Sequence, residues 1–189
     1  MKPQVILVHG LWMTGLEMSF IESRLRRCGF EPHRFRYADL RNSPAENARR
    51  LHSWLQEIPA ERRHFVGHSL GGIVLLHLFH RFPEQLPGRV VLLGSPVRGS
   101  EAARRMSRIA GLNGLLGNSL ENGLGGDAPP WNGGRDLGVV AGTLGLGFGQ
   151  LFGGLETPHD GTVSVAETRI EKAPKAQFQG NSGTPRSAR

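Results

Sequence analysis

This 189-residue sequence predicts an α/β fold built on a parallel sheet, and three observations carry that reading. Short unbroken apolar runs, Val5-Ile6-Leu7-Val8 and Val90-Val91-Leu92-Leu93, have the length and composition of strands buried on both faces. Amphipathic segments with three- and four-residue apolar spacing separate those runs, as helical crossovers between parallel strands would. A third run, Phe65-Val66, enters Gly67-His68-Ser69-Leu70-Gly71-Gly72, a glycine-rich turn from which a long apolar helix leaves.

Taken in order, Val5 to Val8 is the first strand. Glu17 to Cys28 follows as a helix, with Met18, Ile21, Leu25 and Cys28 inward and Gly29 as its stop. A weaker strand spans His33 to Tyr37. Ser43-Pro44-Ala45-Glu46 is a capping box with proline at the first helical position, and its helix turns Ala48, Leu51, Leu55 and Ile58 inward. The helix after the glycine turn (Ile73, Val74, Leu75, Leu76, Leu78, Phe79) is apolar almost all round, which places it against the sheet centre. Val90 to Gly94 is the next strand.

From Gly111 to Leu155 the composition shifts to Gly, Leu and Asn. Leu112 to Leu120 reads as a short helix, Asp127-Ala128-Pro129-Pro130-Trp131 as a rigid break, and Val139 to Thr143 as a further strand. Leu137 to Leu155 is uncharged and long enough to raise the question of a membrane span. Seven of its residues are glycine, each weakening a helix by about 1 kcal/mol, so it is expected instead as a mobile apolar loop over a site. Residues 171–189, rich in Gly, Pro, Ser, Gln and Arg without periodicity, read as a disordered basic tail. The expected organisation is one domain over 1–170, with 111–158 a glycine-rich, lid-like insertion.

Composition narrows the function. A hydrophobic fraction of 38% and a charged fraction of 21% are those of a soluble globular protein. The formal charge of +7 comes from scattered arginine pairs separated by acids, with no aromatic interleaving, which speaks against a nucleic-acid partner. Those arginines read as solvated helix faces with a mild pull toward anionic lipid, so peripheral membrane contact is an expectation, while the oligomeric state is unknown. One cysteine, Cys28, excludes an internal disulfide. The N-terminal apolar run is too short for a signal-peptide core, which makes a cytoplasmic location the default.

The glycine turn carries chemistry. Gly67-His68-Ser69-Leu70-Gly71 fits G-x-S-x-G in a strand–turn–helix setting, which raises the Ser69 hydroxyl at a helix mouth. Gly67 and Gly71 are small because side chains there would collide with neighbouring chain. A developing alkoxide is favoured at such a mouth by the helix dipole and free amides. The first strand ends in His9-Gly10-Leu11-Trp12. Gly10 lets the backbone approach closely, the amide of Leu11 can point above Ser69, and the amide of Leu70 is the second expected oxyanion donor. His9 is expected to brace that loop by hydrogen bonds.

The order of strand, His-Gly-Leu, helix, strand, helix and Gly-His-Ser-Leu-Gly-Gly resembles the α/β-hydrolase fold in its small lipase-like esterase branch. The stretch Gly94-Ser95-Pro96-Val97-Arg98-Gly99-Ser100 is similar too, and the resemblance covers roughly Val5 to Thr168. It implies a serine hydrolase that cleaves carboxylic esters, small-molecule or lipid, through an acyl-enzyme at Ser69. His159-Asp160-Gly161-Thr162-Val163-Ser164-Val165 resembles the stretch that holds the family's acid, which assigns that role to Asp160. No cofactor is expected, because no His, Cys or carboxylate cluster has metal-ligand spacing.

The family pattern then breaks. The acid should be followed by a strand, the base histidine and a terminal helix, yet no histidine follows Asp160. The fold is therefore expected without its last strand and helix. Among the eight histidines, His159 is the one stand-in base on the right face, although it adjoins the acid. His68 is expected to turn its ring away from the Ser69 hydroxyl. Loss of a triad histidine lowers kcat on the order of 10⁶-fold, so turnover by this chain is expected to be very weak. The competing expectation is a non-catalytic protein that binds acyl groups or a partner on a hydrolase scaffold.

Overall fold

Six parallel strands carry the chain: β1 (Gln4–Val8), β2 (Glu31–Phe35), β3 (Arg63–His68), β4 (Val90–Leu93), β5 (Leu137–Gly142) and β6 (Gln177–Gly180). They form one sheet in the order β2-β1-β3-β4-β5-β6. The computed structural model describes residues 2–13, 15–109, 111–132, 134–143, 157–170 and 177–180. After β1 the chain moves outward to β2 and then returns to the other side of β1 as β3. The order thus reverses between β1 and β3, the place where open α/β sheets leave a crevice beyond their strand ends. Val8 lies in register with Gly67, and His68 with Leu93, so the C-terminal ends of β1, β3 and β4 come together there.

The helices are α1 (Ser19–Arg27), α2 (Pro44–Gln56), α3 (Leu70–Arg81) and α4 (Glu101–Arg108). Burial follows the apolar spacing except at Cys28, which stands exposed just past the end of α1. Phe65, Val90 and Leu92 of the sheet pack with Ala48 and Leu51 of α2 and with Val74, Leu75 and Leu78 of α3 in one core cluster. On the other face Val5 and Leu7 are covered by Met18, Ile21 and Leu25. A third cluster joins Leu70, Ile73, Ala103, Met106, Leu116 and Leu124 above the strand ends.

The capping box forms. Ser43 Oγ accepts the Glu46 N–H at 3.3 Å, and the Ser43 N–H donates to Glu46 Oε2 at 2.7 Å. That backbone N–H, with the Ser43 hydroxyl second, pulls the Glu46 carboxyl below its usual range.

Three expectations change. The helix expected from Glu17 is split into a 3-10 turn, Leu16–Met18, followed by α1, because Gly15 enters with φ 85 and turns the chain first. The Leu112–Leu120 stretch makes two short 3-10 turns, Asn113–Leu115 and Gly117–Ser119, because glycines at 111, 114 and 117 break the helical run. Gln177–Gly180, read from composition as disordered tail, pairs with β5 as a sixth strand, and its backbone thereby satisfies the edge that β5 would otherwise expose. The sheet thus has six strands among the described residues. The expected terminal-helix loss falls on 181–189, and the expected apolar loop over the site falls largely on 144–156, both outside the described residues. Among the described residues no helix is long and apolar enough to cross a membrane.

Removing the cap by Ser43→Ala is expected to lower the unfolding free energy by about 1 kcal/mol in urea titration, against roughly 3 kcal/mol for the fully buried Leu51→Ala. A Ser43→Ala protein as stable as the parent would mean that the box contributes nothing.

Candidate active site

Ser69 is the N-cap of α3 and stands at φ 51, ψ −120, a left-handed conformation that costs a non-glycine residue on the order of 1–3 kcal/mol. Its amide donates to the Leu93 carbonyl at 2.9 Å, which ties the bend to the end of β4. The surrounding glycines are required by contact. A Cβ at position 71 would lie 2.2 Å from the Val8 carbonyl oxygen and 2.5 Å from that of His9. One at position 67 would lie 2.7 Å from the Gly72 backbone, and one at 72 would strike Ser95 Oγ at 2.0 Å. The turn, α3 and the end of β1 therefore touch through backbone atoms.

The loop after β1 is held at several points. His9 is buried, stacks on Tyr37 with ring centroids 4.3 Å apart, and its Nδ1–H donates to the Gly10 carbonyl at 2.8 Å. The Tyr37 hydroxyl donates to the His9 carbonyl at 2.6 Å. Burial, reinforced by the nearby Asp39 carboxylate, pushes the Tyr37 pKa well up, so that hydroxyl stays a donor. Trp12, at φ 58, gives its amide to Asp39 and its indole N–H to the Leu115 carbonyl at 2.6 Å. Among the described residues no acceptor takes the amides of Leu11 or Leu70. Gly10 permits this arrangement, since a Cβ there would sit 3.0 Å from Ser69 Cβ. His9 thus hydrogen-bonds within its own loop, and the backbone at Gly10 lies close to Ser69.

Asp160 follows β5 and lies across the ends of two strands. A Cβ at Gly142 would meet Asp160 Cβ at 2.7 Å, and one at Gly94 would meet Asp160 Oδ2 at 3.3 Å. Its Oδ1 accepts the amides of Thr162 and Val163 at 2.8 and 2.7 Å, an arrangement that fixes the carboxylate on its own turn and leaves Oδ2 facing the strand ends. Glu167 anchors this loop. Its buried carboxylate accepts the Ser164 amide at 2.7 Å and the Glu101 amide at 2.6 Å, joining the acid loop to the first turn of α4.

A cavity of about 370 Å³ brings Ser69, Asp160 and His68 together beneath Leu11, Met106, Leu116 and Leu124. His68 is among the residues that line the cavity with Ser69, and its Nδ1 lies near Gly10, where an added Cβ would sit 3.2 Å from it. That nitrogen is buried without a partner among the described residues. Burial holds the His68 pKa below its ordinary value, with Glu17 and then Asp160 acting in the opposite direction. The stand-in role considered for His159 is not supported, since its Nδ1 accepts the Gly161 amide at 3.0 Å and its backbone pairs with Ser164. Its ring is committed to its own loop and does not line the cavity.

The spacing rules missed one wall of the cavity. Helix α4 supplies Ala102, Ala103 and Met106 to it, and its Ser100 Oγ accepts the Ala103 amide at 3.2 Å as an N-cap. The signal was present in Ser100-Glu101 followed by Ala103 and Met106 at three-residue spacing. Met13 and Trp12 line the mouth, and the indole of Trp12 fastens the strand-end loop to the glycine-rich region.

A model described as the alpha/beta hydrolase family matches residues 5–177. No curated protein sequence matches the chain. Among solved structures it is similar to the mature form of the Bacillus licheniformis lipase BlEst2, with a TM-score of 0.68 and 20% identity over 94% of this chain and 82% of that one. A metagenomic carboxyl esterase has a TM-score of 0.66 at 17% identity, over 90% of this chain and 61% of its own. The monoacylglycerol lipase of Paleococcus ferrophilus has a TM-score of 0.59 at 16% identity, over 95% of this chain and 86% of that one. This chain thus spans most of the two lipases and less than two thirds of the esterase.

Gly71→Ala is expected to lose about 3 kcal/mol or more of stability in chemical denaturation, because two carbonyl oxygens occupy the space a methyl needs. Gly29→Ala, with nothing within 4 Å but φ 86, should lose only the roughly 1–2 kcal/mol of left-handed strain. Equal losses would contradict the close packing of the turn.

Proposed function

The chain belongs to the alpha/beta hydrolase family, and from that premise we propose that it is a serine hydrolase of carboxylic esters. The observation that supports the proposal is the strained bend at Ser69, which lines a cavity with Leu11, while the amides of Leu11 and Leu70 have no acceptor among the described residues. Ser69 Oγ attacks the ester carbonyl, the carbonyl oxygen gains charge between those amides, and collapse releases the alcohol and leaves an acyl-enzyme that water cleaves. Preorganised donors of this kind lower the barrier by roughly 3–4 kcal/mol each.

The cavity walls support an apolar acyl group. Met106, Leu116, Leu124 and Val163 line it, and charge enters on one side through Asp160. Lipases and a carboxyl esterase among the similar structures agree with that class. In this chain the rate is expected to be low, because no histidine follows Asp160 in the sequence and His159 is committed to its own turn.

Purified protein is expected to hydrolyse p-nitrophenyl butyrate slowly but measurably, and Ser69→Ala to reduce the rate to that of buffer. Asp160→Asn should lower kcat with little change in KM. Equal rates for the parent and Ser69→Ala would overturn the hydrolase reading and leave an acyl-binding protein on the same scaffold.

A further inference from the structure

We propose that the apolar rim of the cavity, together with the arginines beside it, is a docking surface for an anionic lipid bilayer. The inference goes beyond the hydrolase reading and does not depend on the chemistry at Ser69. Among the described residues the large hydrophobic side chains that stand exposed are Trp12, Leu16, Phe20, Leu40, Ile109 and Leu115, at 38–66% of their surface. Isolated apolar side chains on a surface need no explanation, but a contiguous group marks an interaction site.

These side chains are gathered at the cavity. Trp12 itself lines it, Leu115 directly precedes the lining residue Leu116, and Ile109 caps α4 three residues past the lining Met106. Hydrogen bonds tie the segments together. The Trp12 indole N–H donates to the Leu115 carbonyl at 2.6 Å, the Asn118 amide to the Leu40 carbonyl at 3.0 Å, and the Leu112 amide to the Ile109 carbonyl at 3.1 Å. Trp12, Leu40, Ile109 and Leu115 thus edge one side of the mouth. Leu16 and Phe20 are four residues apart on the turn into α1, which puts them on a common face, opposite the buried Met18.

Charge identifies what covers this surface. Arg24 lies over the Phe20 ring at 5.5 Å, Arg41 follows Leu40, and Arg108 precedes Ile109; all three arginines are exposed. Of the acids in the same stretches, Glu22 is bridged to Arg26 and Arg34, and Asp39 accepts the Trp12 amide, which leaves Glu17 against the three cations. Apolar side chains flanked by cations match a surface with negative headgroups outside and hydrocarbon a few ångströms deeper. A second copy of the chain fits less well, because a two-fold contact through this patch would set its arginines against their own equivalents. For the ester hydrolysis proposed above, a docked bilayer would bring dissolved substrate to the cavity mouth.

The test is co-sedimentation of the whole chain with vesicles of phosphatidylglycerol and phosphatidylcholine in equal parts, compared with phosphatidylcholine alone. The chain is expected to bind the anionic vesicles roughly 10-fold or more tightly, and about 0.5 M NaCl should release it. Arg24→Gln, Arg41→Gln and Arg108→Gln together should weaken binding about 100-fold, at roughly fivefold for each charge lost. Bromine-labelled lipid should quench the emission that Trp12→Phe removes, and the pair Phe20→Ser and Leu115→Ser should abolish that quenching. Equal binding to neutral and anionic vesicles, or no binding to either, would overturn the proposal. So would an arginine variant that binds like the parent, or a dimer in ultracentrifugation that the Phe20 and Leu115 pair abolishes, which would assign the face to a second copy. The dependence on salt and lipid charge needs no variant, so a variant that fails to fold does not shield the proposal. Ser69→Ala should bind like the parent, and a parent that binds vesicles without hydrolysing esters would sink the hydrolase reading alone.

Discussion

Backbone contact between α3 and the end of β1 is the constraint on which the site depends. The Val8 and His9 carbonyls occupy the space beside position 71 that any side chain would claim. Because Gly71 and Gly72 surrender that space, α3 can start directly above the strand ends, with its first amide beside Ser69. The same closeness brings the loop at Gly10 over the serine. The strain at Ser69, φ 51, is tolerated because β4, through Leu93, and the buried faces of α3 over-determine its position.

Around that contact the molecule spends its buried polar groups on holding loops. His9, Tyr37 and Asp39 fasten the loop after β1, and Glu167 fastens the acid loop to α4. Each is hydrogen-bonded to backbone, which is how a buried polar group avoids an unpaired-desolvation penalty of roughly 1–3 kcal/mol. His68 departs from that rule, with an enclosed Nδ1 that has no partner among the described residues. An unpaired imidazole nitrogen beside a strained serine is a cost the fold carries at the site and nowhere else along that strand.

Much of this was legible in the residues. The apolar runs at Val5 and Val90, the capping box at Ser43 and the glycine turn around Ser69 each state their structure through short-range rules, and each forms. The acid loop was legible only through resemblance, since Asp-Gly by itself marks any turn. Three features escaped. Helix α4 has eight residues, too few for its apolar spacing to stand out from the arginines around it. Strand β6 is formed by Gln177, Phe178, Gln179 and Gly180, a sequence whose pairing is decided by the open edge of β5 and not by its own propensity. The burial of His68 Nδ1 beside the bare α-carbon of Gly10 depends on a contact across the fold that leaves no mark in local sequence.

The most direct test of the central claim is a crystal structure of the chain reacted with a butyl phosphonate ester. Phosphorus is expected on Ser69 Oγ, with the phosphonyl oxygen about 2.7–3.1 Å from the amides of Leu11 and Leu70 and the butyl chain toward Met106 and Leu116. An adduct on another residue, or a phosphonyl oxygen turned away from both amides, would contradict the bend at Ser69 as the seat of the chemistry.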